Sequence, residues 1–331
     1  MQIKHPNTKA DGLPLISFIV PVYNVPGDML RECIESIMAL TLRPAEREII
    51  VVDDGSDDTT PLTQLGIMAD QVVYVRQRNG GVSTARNLGL RLAQGQFVQF
   101  VDGDDQLLPM VYGHVFDLLQ FGNADMVMFD FTDTPQPDTN YDDSKPMSGT
   151  ELMRRTNIHG SVWGYVFKRS IMGSLRFTPG IAYGEDEQFT AQLLLRAERV
   201  ITTTAQAYYY RLRPASAINS GDLRSRLRRL SDARDVIVSL QQKADRLPAD
   251  DRAALQRRTA QLTMDYIYQV IVLTQSRHFL NRKLDELRRD GLFPLPDRDY
   301  TAKYTWFRRM TNSKIGLLML LRTLPLMKRE R

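Results

Sequence analysis

Three groups of side chains in this chain have the chemistry to hold a charged substrate. Asp102-Gly103-Asp104-Asp105 follows a short apolar run, Phe97 to Val101, so a strand ends in carboxylates. In open α/β sheets ligands gather at the carboxyl ends of strands, and hard oxygens grouped there suit Mg²⁺ or Mn²⁺ holding a phosphate. Asp53-Asp54-Gly55-Ser56 closes a second buried-type run, Glu48 to Val52. An acid at that position can accept from a base imide N–H or a ribose hydroxyl. The glycine-rich run Asn79 to Ser83, followed by a helix from Thr84, can offer backbone N–H groups to an anion, and Arg86 a charge-assisted bond. Alone, the acidic run also fits a solvated turn. Together the three groups describe a nucleotide-diphosphate site.

The elements that must carry these residues are legible from periodicity. Leu15 to Val22 is an apolar β-rich run ending in turn chemistry at Tyr23 to Gly27. Leu30, Cys33, Ile34, Ile37 and Met38 recur at helical spacing from Met29 to Leu40. Strands follow at Glu48 to Val52, Val72 to Val75 and Phe97 to Val101, with a helix from Thr84 to Ala93 capped by Ser83 or Thr84. This alternation predicts an α/β fold with a mostly parallel sheet flanked by helices. Beyond the helix Val111 to Gln120, Met126 to Phe129 reads as a strand and Asp133 to Ser148 as a loop over the site. Gly184 to Ala197 reads as a turn and helix, and Tyr208 to Arg213 as a short strand. From Asp222 to Asp290 the pattern is helical and charged, with no internal repeat. The expected division is a polar tail over 1–13, an α/β domain over 14–220 with halves at 14–110 and 111–220, and a helical region over 221–331.

Composition narrows the function classes. With 331 residues, 43% of them hydrophobic, the chain can bury a substantial core. The 43 Lys and Arg against 39 Asp and Glu leave a net charge of only +4, which gives no reason to expect nucleic acid as partner. A single cysteine, Cys33, excludes an internal disulfide and a cysteine-based zinc site. The N-terminal residues lack the apolar core of a signal peptide, and no run reaches the ~20 apolar residues of a membrane span. A cytoplasmic protein is expected.

The motifs also resemble, in order, those of a family 2 glycosyltransferase of the GT-A (Rossmann-like) fold. The matching stretches are Val20-Pro21-Val22-Tyr23-Asn24, Val52 to Thr59, Asn79 to Gly89, Asp102-Gly103-Asp104 and Gly184 to Phe189, spread over residues 15 to 215. The resemblance implies an inverting enzyme that takes a nucleotide-sugar donor, usually UDP-linked, with Mn²⁺ or Mg²⁺. It further implies that Pro21, Tyr23 and Asn24 line base and ribose, that Asp53 or Asp54 contacts uracil, and that Asn79, Arg86 and Gly103 lie at the donor. Asp102 and Asp104 would hold the metal, and Asp186, with Glu185 beside it, would be the catalytic base. A carboxylate in that role agrees with the need to take a proton from the attacking hydroxyl. The expected acceptor is a glycan or lipid-linked glycan of bacterial surface or exopolysaccharide synthesis.

One departure stands out. Many relatives carry a histidine after the tyrosine-rich strand, where this chain reads Arg211-Leu212-Arg213. Arginine cannot ligate a metal, so Arg211 and Arg213 are candidates for neutralising the leaving diphosphate. Trp163 is a candidate sugar-stacking ring, although large aromatics fill cores more often than they bind ligands. Two other classes are compatible with parts of the pattern. A nucleotidyltransferase would want a glycine-rich basic loop after the first strand, where Tyr23-Asn24 stands; a non-catalytic nucleotide-sugar-binding subunit would not need Asp186. Lastly, the tail from Tyr304 mixes Trp306, Phe307 and Leu317 to Leu321 with Lys and Arg, a pattern suited to an anionic membrane surface on the inner face of the cell membrane.

Overall fold

The computed structural model describes residues 2–4, 12–58, 71–212 and 223–329. Its strands are β1 (Gln2–Lys4), β2 (Ile16–Val22), β3 (Arg47–Asp53), β4 (Val73–Arg76), β5 (Phe97–Phe100), β6 (Gln106–Leu107), β7 (Met126–Thr132), β8 (Tyr165–Lys168) and β9 (Val200–Tyr209). Its helices are α1 (Gly27–Met38), α2 (Val82–Leu92), α3 (Pro109–Gln120), α4 (Gly149–Arg155), α5 (Arg169–Met172) and α6 (Glu185–Leu194), then α7 (Leu223–Ala244), α8 (Ala249–Thr274), α9 (Arg277–Arg289), α10 (Ala302–Thr311) and α11 (Lys314–Arg329). The chain divides into two compact units, Met1–Gly149 with His159–Ser216, and Thr150–Ile158 with Ala217–Arg331.

In the first unit, the nine described strands form one sheet in the order β1-β4-β3-β2-β5-β8-β7-β9-β6. Strands β4, β3, β2 and β5 are mutually parallel, and β7 and β9 run the same way. The antiparallel β8 between β5 and β7 preserves that common direction. Every residue of β2 is buried, as expected for a strand covered on both faces. Leu30, Cys33, Ile34 and Ile37 of α1 are buried in the main apolar cluster. Helix α2 crosses β2 at Gly89, where a Cβ would come within 2.3 Å of the Ile19 side chain. Any larger residue there would push helix and sheet apart.

Three local expectations are corrected. Helix α2 starts at Val82 with Gly81 as its N-cap, so neither Ser83 nor Thr84 caps it; Thr84 instead donates back to the Gly81 carbonyl at 2.7 Å. Strand β9 begins at Val200, eight residues before the tyrosines, because its alternating Thr, Ala and Gln residues lack the apolar density of the other strands. The segment from Asp133 to Ser148 is only in part at the site. It leaves the site end of β7 at Asp133, and the Asp138 N–H donates to Gln206 at 3.1 Å. The rest runs back along β9, bridging at Asp143 to Thr203 and Met147 to Val200.

The second unit is helical. Helices α7 and α8 pack along each other, and α8 buries Leu255, Met264, Ile267, Val270 and Ile271. Arg257 is buried there too, and its guanidinium donates to the carbonyls of Met153, Thr156 and Asp299 at 2.7 to 2.9 Å. Backbone acceptors thus replace a counterion. None of the described helices is long and apolar enough to cross a membrane.

Candidate active site

The carboxyl ends of β2, β3 and β5 lie side by side, and each delivers part of the site. Strand β2 leads through Pro21, buried opposite Val52, to Tyr23 and Asn24, both exposed. Asn24 sits at φ 51° and grips the neighbouring loop: its N–H donates to Ser56 Oγ at 3.0 Å, and its side chain exchanges hydrogen bonds with Asp57.

At the end of β3 the two acids face different partners, both 3% exposed. Asp53 accepts from the Ser56 N–H at 2.8 Å and the Tyr74 hydroxyl at 2.7 Å, with Arg76 at 3.3 Å. Asp54 accepts from Gln77 at 2.6 Å and from the N–H groups of Gly80 at 3.0 Å and Gly81 at 2.7 Å. Two of the glycine-loop donors are therefore directed at a protein carboxylate. Gly55 makes this approach possible: its φ is +76°, and a Cβ would stand 2.7 Å from the Asn79 nitrogen. Asn79 itself is exposed.

Strand β5 ends in the acidic loop, which β6 pins against the tyrosines of β9 through Gln106–Tyr209 and Leu107–Tyr208 pairs. The Tyr208 hydroxyl donates to Asp105 at 2.9 Å and accepts from the Asp102 N–H at 3.0 Å. Asp105 also accepts from the Arg211 N–H at 2.8 Å. Burial, reinforced by Asp102, pushes the Asp105 carboxyl up to about 8. The Arg211 guanidinium reaches Glu32 at 2.6 Å, while Arg213 lies outside the described residues. Asp102, Asp104 and the tightly packed Gly103 complete the loop; the two acids are partly exposed, and Gly103 is buried where a Cβ would come within 3.1 Å of the Val22 side chain.

Arg86 joins this loop to a distant segment. It projects from α2, is 3% exposed, and rests over the rings of Phe177 and Phe100 at 5.4 and 6.0 Å. Its guanidinium contacts Asp102 at 3.3 Å, Glu185 at 3.0 Å and Asp186. Glu185 and Asp186 occupy the first turn of α6, where the helix dipole favours negative charge, and Asp186 also accepts from the Val162 N–H at 3.2 Å. Burial holds the Asp186 carboxyl well above the ordinary carboxylate value, Arg86 pulls it down, and Glu185 adds to the rise. Arg86 is correspondingly raised by these carboxylates despite its burial.

The donor set admits a hard cation. Mg²⁺ is commonly held by one or two carboxylates together with substrate phosphates, and Asp102 and Asp104 offer such a pair at a solvent-accessible edge. Among the described residues no group of three or more His, Cys, Asp or Glu side chains is arranged as a self-sufficient metal cage. The residues present fit the two-carboxylate mode.

Trp163 is 6% exposed and stacks on Tyr208 at 4.4 Å and 15°, which makes it a packing ring. Several contributors were not singled out from the sequence: Tyr74, Arg76 and Gln77, which hold Asp53 and Asp54, and Glu32 and Tyr208, which hold the acidic loop. A tyrosine or glutamine on a strand carries no signal of its partner until the strands are assembled.

Residues 17–177 match the family model described as Glycosyl transferase family 2. The uncharacterized glycosyltransferase EpsJ of Bacillus subtilis is 31% identical over 224 residues, 62% of this chain and 63% of that protein. Glycosyltransferase GlyA of Streptococcus pneumoniae is 31% identical over 220 residues, 61% of this chain and 31% of that protein. The chain thus spans less than two thirds of either relative. GlyG of the same organism is 28% identical over 273 residues, 76% of this chain and 87% of that protein. Among solved structures, S. aureus TarS 1-349 matches with a TM-score of 0.62 at 17% identity, over 96% of this chain and 91% of that one. The mannosyltransferase PcManGT from Pyrobaculum calidifontis, solved with GDP-Man and Mn²⁺, matches with a TM-score of 0.56 at 15% identity, over 98% and 90%. At such identities the likeness establishes the fold, that of GT-A enzymes.

Proposed function

The chain belongs to glycosyl transferase family 2, and on that premise we propose that it moves a sugar from a nucleotide diphosphate donor, UDP-linked, to a glycan or lipid-linked glycan hydroxyl with inversion. One observation carries this reading: Arg86 draws the acids that end β5 and the acids that open α6 onto a single guanidinium. A leaving-group site and a proton acceptor are thereby adjacent. TarS was also solved with UDP-GlcNAc, which supports a UDP donor by analogy of fold.

In this scheme Pro21, Tyr23 and Asn24 frame base and ribose, with Asp53 or Asp54 at the uracil edge and Asn79 and Gly103 beside the donor. Asp102 and Asp104 would hold Mn²⁺ or Mg²⁺, whose charge offsets that developing on the leaving diphosphate. Arg211 adds positive charge beside the acidic loop, and Arg213, two residues on in sequence, is a further candidate for that task. Asp186 takes the proton of the attacking acceptor hydroxyl as the new bond forms at the anomeric carbon. Its raised affinity for protons suits that task, and Glu185 shares the cation that keeps both acids in place. The setting is surface or exopolysaccharide assembly at the inner face of the cell membrane, with α10 and α11 touching anionic lipid.

Calorimetric titration with UDP and GDP, with and without Mn²⁺, followed by release of the nucleoside diphosphate from a panel of donor sugars, tests this reading. Metal-dependent UDP binding and donor turnover are expected. No binding of either nucleotide under any metal condition would overturn it.

A further inference from the structure

We propose that Phe131, with Tyr210 set edge-on beside it, forms a platform for one pyranose ring of the acceptor, tied through Trp163 and Val162 to the Asp186 carboxylate; the inference rests on the sugar-transfer reading above. Phe131 is near the end of β7, which runs parallel to β5. Val127 and Gln99 are both aligned with Val166 of the strand between them, and Phe131 pairs with Tyr208, the residue whose hydroxyl holds Asp105 and the Asp102 N–H. Two strand spacings separate β7 from β5, about 10 Å. The ring therefore stands at the same edge as the acidic loop, on the side away from β3 and β4.

Along β7 the aromatic residues differ in a telling way. Phe129 is fully buried, whereas Phe131 is 44% exposed. A lone exposed phenylalanine would need no explanation, but this ring is built in. It is set nearly perpendicular to Trp163 at 5.2 Å and to Tyr210 at 6.2 Å, and Tyr210 stacks on Trp163 at 6.0 Å. Trp163 in turn lies on Tyr208, whose hydroxyl fixes Asp105 and the Asp102 backbone. The N–H of Val162, the neighbour of Trp163, holds Asp186. An exposed aromatic surface is thus tied rigidly to both the acidic loop and the proposed base.

Such a surface suits a sugar. A pyranose has a face of C–H bonds ringed by hydroxyls, and the negative face of an aromatic ring attracts polarised C–H groups. Asp133, exposed two residues beyond Phe131 in sequence, supplies an acceptor for hydroxyls at the ring's rim. The nucleotide base would stack too, but its proposed place is across the acidic loop, at Tyr23 and β3. The platform is left for the acceptor.

The test uses the full chain with Trp306→Phe, which leaves Trp163 as the sole tryptophan and makes its fluorescence report on the platform. Chitotetraose, cellotetraose and maltotetraose are titrated in the presence of UDP and Mn²⁺. At least one should perturb Trp163 saturably. Phe131→Ala should weaken that binding about tenfold, the scale of a lost stacking contact, and Phe131→Tyr should restore it, while UDP affinity stays unchanged in both. Equal oligosaccharide affinity in wild type and Phe131→Ala, or no binding of any of the three, overturns the platform. Oligosaccharide binding without any UDP binding would instead sink the sugar-transfer reading and leave the platform standing.

Discussion

Arg86 donates to Asp186 through the same guanidinium nitrogen that reaches Glu185 at 3.0 Å, although the partners lie about a hundred residues away along the chain. A cation 3% exposed among three carboxylates makes a costly arrangement to disturb. Arg86→Met should destabilise the protein by about 3 kcal/mol, because removing one partner leaves buried charge uncompensated. The sign of the pH dependence follows. Burial already raises the Asp186 carboxyl and Arg86 pulls it down, so without Arg86 the folded-state Asp186 binds its proton still more tightly than the unfolded one. The deficit therefore grows as pH rises above the ordinary carboxylate value, about 4, and shrinks below it. Urea denaturation at several pH values measures both; a deficit independent of pH would mean that packing on Phe177, not charge, is what Arg86 contributes.

Asp186→Asn should leave UDP affinity nearly unchanged and lower transfer by ~10²-fold or more, the scale of a lost general base. The amide keeps the side chain's shape while losing its basicity. Normal turnover in this variant would direct attention to Glu185.

Asp104→Ala should abolish the Mn²⁺ dependence of UDP binding, since one carboxylate of a two-carboxylate site then remains. Calorimetry with and without metal reads the effect. Wild-type metal dependence would show that β5 does not lead to the metal.

How far the positions of these residues are legible in the sequence differs from residue to residue. Asp102, Asp104 and the pair Asp53-Asp54 could be read because apolar runs ending in acids announce strand ends, and the fold class followed from the same alternation. The surroundings of Arg86 could not. Seen in a glycine-rich run, an arginine looks like a phosphate ligand, and only the assembled sheet brings Glu185 and Asp186 to it. Phe131 is hidden for a local reason: Asp130 interrupts the apolar run Met126 to Phe129, so the sequence reads as a strand ending at Phe129, whereas β7 continues to Thr132 with its register to β9 shifted past Met128. Likewise, nothing in the sequence indicated that Asp54 would take the N–H groups of Gly80 and Gly81.

That last contact yields a prediction of its own. Asp54→Asn should destabilise the glycine loop more than its isosteric shape suggests. Three donors converge on the two carboxylate oxygens, and an amide must turn its own NH₂ toward one of them. The cost is about 1 to 3 kcal/mol, that of an unsatisfied buried donor. Faster hydrogen exchange at the Gly80 and Gly81 amides is the expected signature; unchanged protection there would mean the loop is held by other contacts.

The tail calls for substitution rather than truncation. Within the helical unit Phe307, Leu320 and Leu324 are buried, the Tyr304 hydroxyl bonds to Asp265 at 3.0 Å, and Gly316 packs on the Met310 backbone, so deleting residues from about 300 onward should unfold part of that unit. Other residues of the same helices face solvent: Trp306 at 52%, Ile315 at 67% and Met319 at 53% exposure, with Lys303, Arg309, Lys314 and Arg322 also exposed. Each such cation contributes ~1 kcal/mol near an anionic lipid surface, and salt screens it. Changing Lys303, Arg309, Lys314 and Arg322 to Gln together with Trp306→Ala should therefore release the protein from phosphatidylserine vesicles in sedimentation at low salt, with thermal stability and donor turnover retained. Should the wild type itself stay in solution with those vesicles, the basic apolar face serves some purpose other than lipid contact and the membrane assignment falls.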